Sequence, residues 1–549
     1  MQFNVGSSTN ANITVGQVSY PTDPTIPAYE YDSSSGADSL NHGDIWLNSD
    51  ALVNWNQTSE GTNAHTTIMH ELGHALGLDH TFTISTDIFG NIIRTQKISA
   101  DGTSIDNQKY SIMSYDHMAG MDVANRDDDV NPSGLQLYDI AAIQEIYGRN
   151  YATRTGDTVY SKDTAFASTR PNDAFIYTIW DGGGSGDTIN ASGYSVHALI
   201  DLRQGNFSSI GYAADGTYDA PDLTNFIFVQ GQAKDNLAIA FHTIIENATG
   251  TNGDDILIGN AWGNRLEGRG GHDILYGDGV VYDGDAGFMG VDPNDPLDPN
   301  RDVPQSDDDT LIGGGGNDQL FGGAGRDTVD YSGDAAAGGA GGITLTLDNN
   351  GNGTATDGFG DTDTLRSIEN ITGTAADDRF NLQGPSGRTI DGGGGDDQVD
   401  YSAGFVWDVA GGRAWDYLGL ASDTLLNVEK TTSASVILPD LNRSGGVNYH
   451  FETVDSRNTI VFDSRYVDYS HALTSATFNL GYPEPVVINN VIQSVALLTD
   501  YDQVGLGGFT HLYGTNHGDT VHIAASLFSY DNQIAFHTGN GNDTVWLAA

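Results

Sequence analysis

"GGGGNDQLFGGAGRDTVD" runs from Gly313 to Asp330 and reads as one nine-residue unit written twice. Each copy has glycine at places one, two and four, aspartate at six and an apolar residue at eight. The glycines allow positive φ and tight carbonyl packing, and the aspartate supplies a carboxylate. The apolar residue points inward from a three-residue strand. The frame recurs as "GRGGHDILY" (268–276), "GGGGDDQVD" (392–400) and "TGNGNDTVW" (538–546), with looser copies at 250–258 and 373–381. Such oxygen-only donors suit several calcium ions. The expected carboxylates are Asp255, Asp273, Asp318, Asp327, Asp397 and Asp543, with Gly268, Gly270, Gly313, Gly315 and Gly322 as carbonyl donors. The inward residues are Leu257, Leu275, Leu320, Val329, Val399 and Val545.

A longer repeat encloses the short one. It opens with "DTINAS" (187–192), "DTVDYS" (327–332), "DQVDYS" (397–402) and "YVDYS" (466–470). Apolar alternation follows, as in "ITLTLD" (343–348), and the better copies close on "IEN" and a Gly-Thr turn. The C-terminal half is therefore expected to be tandem β modules and not one compact domain.

Composition agrees. The 549 residues carry 22 Lys+Arg against 74 Asp+Glu, a formal charge of −52. Ten of the acids are Glu, which leaves 64 Asp (74 − 10). Aspartate beside glycine points to turns and hard-cation ligands, and such a charge excludes nucleic acid or an anionic membrane as partner. There is no cysteine, so neither disulfides nor thiolate ligands contribute. The opening residues show no basic and apolar leader, and no run is long enough to span a bilayer.

Before about Asn150 the pattern differs. "TTIMHELGHAL" sets Met69, Leu72 and Leu76 on one helical face, and "LYDIAAIQEIYG" reads as a second helix stopped by Gly148. On the first helix His70 and His74 lie four apart and share a face, so both can reach one tetrahedral zinc. Glu71 stands beside them, placed to address a metal-bound water. Gly77 is expected to end the helix at positive φ and return His80 as third ligand. Three neutral ligands leave a position open, which makes a site catalytic.

HExxHxxGxxH followed by "YSIMSYD" (110–116) resembles the metzincin metalloproteases and, within them, the serralysins. The resemblance implies a Met-turn at Met113 beneath one catalytic zinc. It also implies that Tyr115 both coordinates zinc and stabilises the oxyanion. Glu71 would then be general base in peptide-bond hydrolysis. "GDIWLN" (43–48) resembles the edge strand that receives substrate. Thr81 stands where the family usually has proline. The repeats resemble the calcium-binding β-roll of the RTX family. By that likeness Arg154, Gly156, Thr158 and Asp181 bind calcium, Asp187 joins them, and Asp187 and Glu246 serve a neighbouring ion.

The expected fold is an α+β metzincin-like catalytic domain followed by an all-β parallel β-roll. Residues 1–150 form the protease domain, N-terminally shortened by the family's measure, and 151–282 the linker and first calcium segment. An acidic insertion fills 283–309, a second RTX segment 310–402, and divergent modules with a C-terminal secretion signal 403–549. The implied partners are protein substrates, a type I secretion machinery and a small proteinaceous inhibitor, and the implied location is extracellular. A competing reading is a non-enzymatic, calcium-dependent surface or adhesion protein with an inactive protease domain.

Overall fold

The structure is a computed structural model of the chain. It describes residues 58–86, 106–118, 129–214, 232–279 and 307–402 without a break. It also describes 15–19, 28–30, 45–49, 53, 55, 92–96, 99–100, 103–104, 121, 405–408, 413–416, 421–428, 430–433, 436–437 and single strands between 459 and 547. Asp543 and most of 283–309 lie outside the described residues. The chain forms two units, Met1–Asp309 and Thr310–Ala549. No described helix is long and apolar enough to cross a membrane.

In the first unit, helix α1 spans Asn63–Ala75 and begins where Thr62 Oγ1 accepts the His65 N–H at 3.3 Å. It ends in a Schellman turn. Gly77 sits at φ +94°, its N–H donates to His74 O at 2.9 Å, and the Leu78 N–H donates to Gly73 O at 2.9 Å. Leu76 and Leu78 are buried with Ile112, Met113 and Ile143, and Met69 and Leu72 pack against this cluster. Each fully buried aliphatic chain stabilises the fold by roughly 1.5–3 kcal/mol. Helix α2, Leu137–Tyr147, stops at Gly148 with φ +80°. Its inward stripe is narrower than the periodicity suggests, because Ile143 is buried while Ile146 is 53% exposed.

Strand Ile45–Asn48 pairs in parallel with Val15–Val18 and antiparallel with Ala28–Glu30. It is thus the middle of three described strands, not the edge expected from "GDIWLN". Pairing with residues 15 or more positions away decides edge or centre, and local composition does not carry that information.

From Val159 onward, three-residue strands stack in parallel. One ladder runs through Val159–Ser161, Thr188–Asn190, Asn247–Thr249 and Arg265–Gly270, another through Leu199–Asp201, Ile256–Ile258 and Ile274–Tyr276. In each the middle residue points inward, and Tyr160, Ile189, Leu266, Ile200, Leu257 and Leu275 are fully buried. The second unit repeats the scheme through Thr310–Gly315, Thr328–Asp330, Asn370–Thr372 and Thr389–Asp391, with Leu311, Val329, Ile371 and Ile390 inside. Leu320 and Val399 point inward as their frame predicts; the side chain of Val545 lies outside the described residues. The alternating segment of the long repeat interrupts the parallel order. Thr344–Leu347, Gly353–Thr356 and Thr362–Arg366 form an antiparallel meander, echoed by Phe405–Asp408, Arg413–Asp416 and Ser422–Leu426. Further on, Thr477–Leu480, Thr520–Ile523 and Thr544–Leu547 pair again in parallel.

Candidate functional site

His70 and His74 project from one face of α1 and are held from behind. His70 Nδ1 donates to Ile112 O at 2.8 Å, and His74 Nδ1 donates to Leu78 O at 2.9 Å. These carbonyls assign the ring protons to Nδ1 and leave each Nε2 as a lone pair. After the Gly77 turn, His80 Nε2 stands 3.2 Å from His70 Nε2 and 3.1 Å from His74 Nε2. A single proton on His80 could relieve only one of these contacts. A tetrahedral zinc at about 2.0–2.1 Å would separate its nitrogens by about 3.3–3.4 Å, so the donor set fits one shared ion. Burial pushes the His70 imidazole down to about 4, helped by its histidine neighbours and opposed by the Ile112 bond. The neutral ring is the ligand form.

The other expected residues gather here. The Tyr115 hydroxyl is 3.0 Å from His80 Nε2. Glu71 is buried beside His70, and Phe82 stacks on His80 with centroids 4.9 Å apart. Met113 lies under the helix so closely that a Cβ on Gly73 would come within 2.6 Å of its Sδ. That glycine is needed for space.

Two aspartates outside the motif complete the frame. Asp139, wholly buried on α2, accepts the Ser111 hydroxyl at 2.6 Å, the Ile112 N–H at 2.7 Å and the Gln136 N–H at 2.9 Å. It thereby anchors the residue whose carbonyl holds His70. Burial pushes its carboxyl up to about 6 against those three bonds. Asp106, also buried, accepts the Thr81 and Ser114 hydroxyls, the latter at 2.7 Å. Thr81 therefore ties the exit of the histidine loop to the Met113 turn. The only sequence signal for Asp139 was its place three residues after Gln136 at a helix start.

In the repeats, the residue just before each strand is usually acidic, and its carboxylate accepts a backbone N–H from the preceding turn of its own ladder. Thr158 donates to Asp187 at 2.7 Å, Asp187 to Glu246 at 2.8 Å, and Ala198 to Asp255. Asp255 donates to Asp273 at 2.7 Å, Asp327 to Glu369 at 2.9 Å and Asp378 to Asp397 at 2.8 Å. The Asp318 N–H in turn donates to Asp363 at 3.0 Å. The leading glycine explains itself against the carboxylate five residues later. A Cβ on Gly250, Gly313, Gly322 or Gly392 would stand 2.3–2.5 Å from Oδ2 of Asp255, Asp318, Asp327 or Asp397. Gly268, Gly270 and Gly315 lie on or at the ends of strands in the same stack.

Upstream, Asp187 is fully buried, its Oδ2 has no hydrogen-bond partner, and burial pushes its carboxyl up to about 6. Asp181 accepts the Tyr160 hydroxyl, and the Thr158 hydroxyl bonds Gly156 O at 3.0 Å. Arg154, at φ 52°, sends its guanidinium away to Trp180 O and the Tyr177 hydroxyl, which leaves only its backbone for a ligand role.

Asp363, Glu369, Asp378 and Asp423 stand in the same register, directly before the residues paired in the parallel ladders, but were not among the expected carboxylates, and no Gly-Gly precedes them. Two of them are capped differently. Asp363 accepts the Tyr331 hydroxyl at 3.0 Å, and Asp423 accepts the Tyr401 hydroxyl at 2.9 Å. Buried Arg388 also approaches Asp423 at 3.9 Å. The tyrosines of "DYS" thus give each of these two carboxylates a hydrogen-bond donor.

Comparison with known proteins bears on both regions. Residues 10–109 match the Matrixin family model, 149–218 the C-terminal model of M10 serralysin peptidases, and 249–279, 305–335 and 389–405 the RTX calcium-binding nonapeptide repeat. The chain is 35% identical over 224 residues to Serralysin B of Dickeya chrysanthemi, which is 39% of this chain and 40% of that protein. It is 33% identical over 236 residues to Metalloprotease AprA of Pseudomonas entomophila, covering 41% and 43%. With Serralysin of Proteus mirabilis the match is 32% over 278 residues, covering 47% and 48%. The chain therefore spans less than half the length of these relatives. A matrixin-type catalytic region is followed by RTX repeats, and these segments imply zinc and calcium respectively.

Proposed function

We propose that this chain is a zinc-dependent endopeptidase of serralysin type whose matrixin-type region is braced by calcium-filled repeats. The observation that carries the reading is the convergence of three imidazole lone pairs, His70, His74 and His80, at 3.1–3.2 Å, with the Tyr115 hydroxyl 3.0 Å from His80. Zinc, when bound by the three histidines, lowers the pKa of water toward about 7 and polarises the scissile carbonyl. Glu71 takes the proton of the attacking water and passes it to the leaving amine nitrogen. The hydroxyl of Tyr115, a residue 42% exposed, donates to the oxyanion as it develops. Met113 and Asp139 hold the turn that orients His70. Ala28–Glu30, an edge among the described strands, is better placed than 43–48 to receive an extended peptide.

In the repeats, Asp255, Asp273, Asp318, Asp327 and Asp397 with the neighbouring glycine carbonyls hold calcium, and Asp187, Asp181 and Glu246 serve the upstream sites. Calcium at extracellular concentration would order segments that repel one another without it, which suits a protein folding outside the cell after type I export. Casein zymography of wild type and Glu71→Gln, with zinc and calcium supplied, tests the enzyme. Clearing by wild type and a loss of at least about 100-fold in the variant is expected. No clearing by a folded, zinc-loaded wild type would leave the non-enzymatic adhesion reading, and equal clearing by both proteins would remove Glu71 as the general base.

A further inference from the structure

Two more carboxylates are buried together in the second unit, outside the nonapeptide frame. Asp334 opens the short helix Asp334–Ala337, and Asp357 opens the loop after strand Gly353–Thr356; both are 2% exposed. The Gly358 N–H donates to Asp334 Oδ2 at 3.0 Å, which lays that loop on the helix. Asp357 uses Oδ1 within its own loop, accepting from Phe359 and Asp361 at 2.9 and 2.8 Å. Its Oδ2 is buried with no hydrogen-bond partner. Among neighbouring charges, Asp357 acts most strongly on Asp334.

Gly358 brings a carbonyl oxygen close to Asp334. A Cβ on Gly358 would stand 2.9 Å from Asp334 Oδ2 and 3.1 Å from Gly341 O, so the glycine leaves room beside two oxygens of different origin. The long repeat supplies an internal comparison. Counting from Tyr331 and Tyr401, Gly404 stands where Asp334 does, whereas the pairing of Ala355 with Asp363 and of Ala414 with Asp423 puts Asp416 where Asp357 stands. The second copy keeps the tyrosine-capped aspartate and one of the two acids, but has glycine in place of the other.

Two ionised carboxylates buried side by side repel unless a cation or a shared proton joins them. Oxygen donors from two side chains and a backbone carbonyl match calcium. We propose that Asp334, Asp357 and the Gly341 carbonyl hold a calcium ion that is additional to the nonapeptide series and pins the meander loop to the short helix. The site stands apart from the zinc chemistry, so peptidase activity is no measure of it.

The test counts calcium per chain in the purified full-length protein, after loading and removal of excess ion, for wild type, Asp334→Asn, Asp357→Asn and the double variant. Each of the three variants is expected to hold one ion fewer than wild type. An unchanged count in variants that fold in calcium would overturn the site and assign the pair a shared proton. A loss of two ions in the double variant would also overturn it, since the acids would then serve separate sites. Should the variants fail to fold, anomalous scattering from wild-type crystals grown in calcium decides. A peak about 2.3–2.6 Å from both carboxylates is expected. Filled nonapeptide turns with no peak there would overturn the proposal.

Discussion

The histidine cluster and the carboxylate ladders both gather ligand atoms, but they differ in what holds those atoms before any ion arrives. In the cluster, the rings of His70 and His74 are tethered to carbonyls of Ile112 and Leu78, on a helix whose apolar face is buried. The folded chain positions them, and the ion adds chemistry. In the ladders the ligands are themselves charges. Asp187 and Asp255 are buried, and burial pushes their carboxyls up to about 6 and about 7. On the proposed reading the ion there is part of the fold, because without it the carboxylates must stay protonated or move apart.

The largest expected effect follows from that difference. A calcium-selective chelator should abolish most of the β signal of the full chain in circular dichroism, whereas a zinc-selective chelator should abolish peptidase activity and leave the spectrum in place. A spectrum indifferent to calcium removal would erase the distinction. Next comes Asp139→Asn, which puts an amide where three donors now meet a carboxylate. It should cost roughly 2–3 kcal/mol in thermal unfolding and weaken zinc binding by about 10- to 100-fold. If zinc affinity stays at the wild-type value, the histidines do not depend on the turn that Asp139 anchors.

A smaller effect separates the regions by pH. Asp255 has its carboxyl pushed up to about 7 by burial, against about 3.9 in an unfolded chain. A raised folded value means that the calcium-free fold keeps this contribution below about pH 4 and loses it as pH climbs through about 7. Calcium requires the ionised form, so binding releases a proton and tightens with pH. At this site, affinity should be about tenfold weaker at pH 6 than at pH 8, roughly 1.4 kcal/mol. Calorimetry in two buffers of different ionisation enthalpy would detect the released proton, and its absence would count against Asp255 as a ligand.

What the sequence made legible was whatever sits within one turn of chain. Spacing of four placed His70 and His74 on one face, and the two-residue step from Asp318 to Leu320 set carboxylate and core residue in one frame. Partners that arrive from afar were not legible. Asp139 reaches Ser111 across 28 positions, and Tyr331 reaches Asp363 across 32. "DYS" was visible as a repeated word, but its role depends on a strand pairing that spacing does not encode. The same blindness turned the central strand Ile45–Asn48 into an expected edge.

Glycine gives the finest contrast between the regions. In the repeats a leading glycine such as Gly392 is there because a Cβ would stand 2.4 Å from Asp397 Oδ2 and 2.2 Å from Asn427 O. At Gly77 a Cβ would meet nothing within 4 Å, and the need is only for φ +94°. Gly77→Ala should therefore cost about 1–2 kcal/mol of backbone strain, with His80 still able to close on the zinc. The expected result is a modest fall in melting temperature with zinc content unchanged. Loss of zinc from a folded Gly77→Ala chain would mean that the turn is strained beyond its dihedral and that His80 depends on glycine as strictly as the calcium turns do.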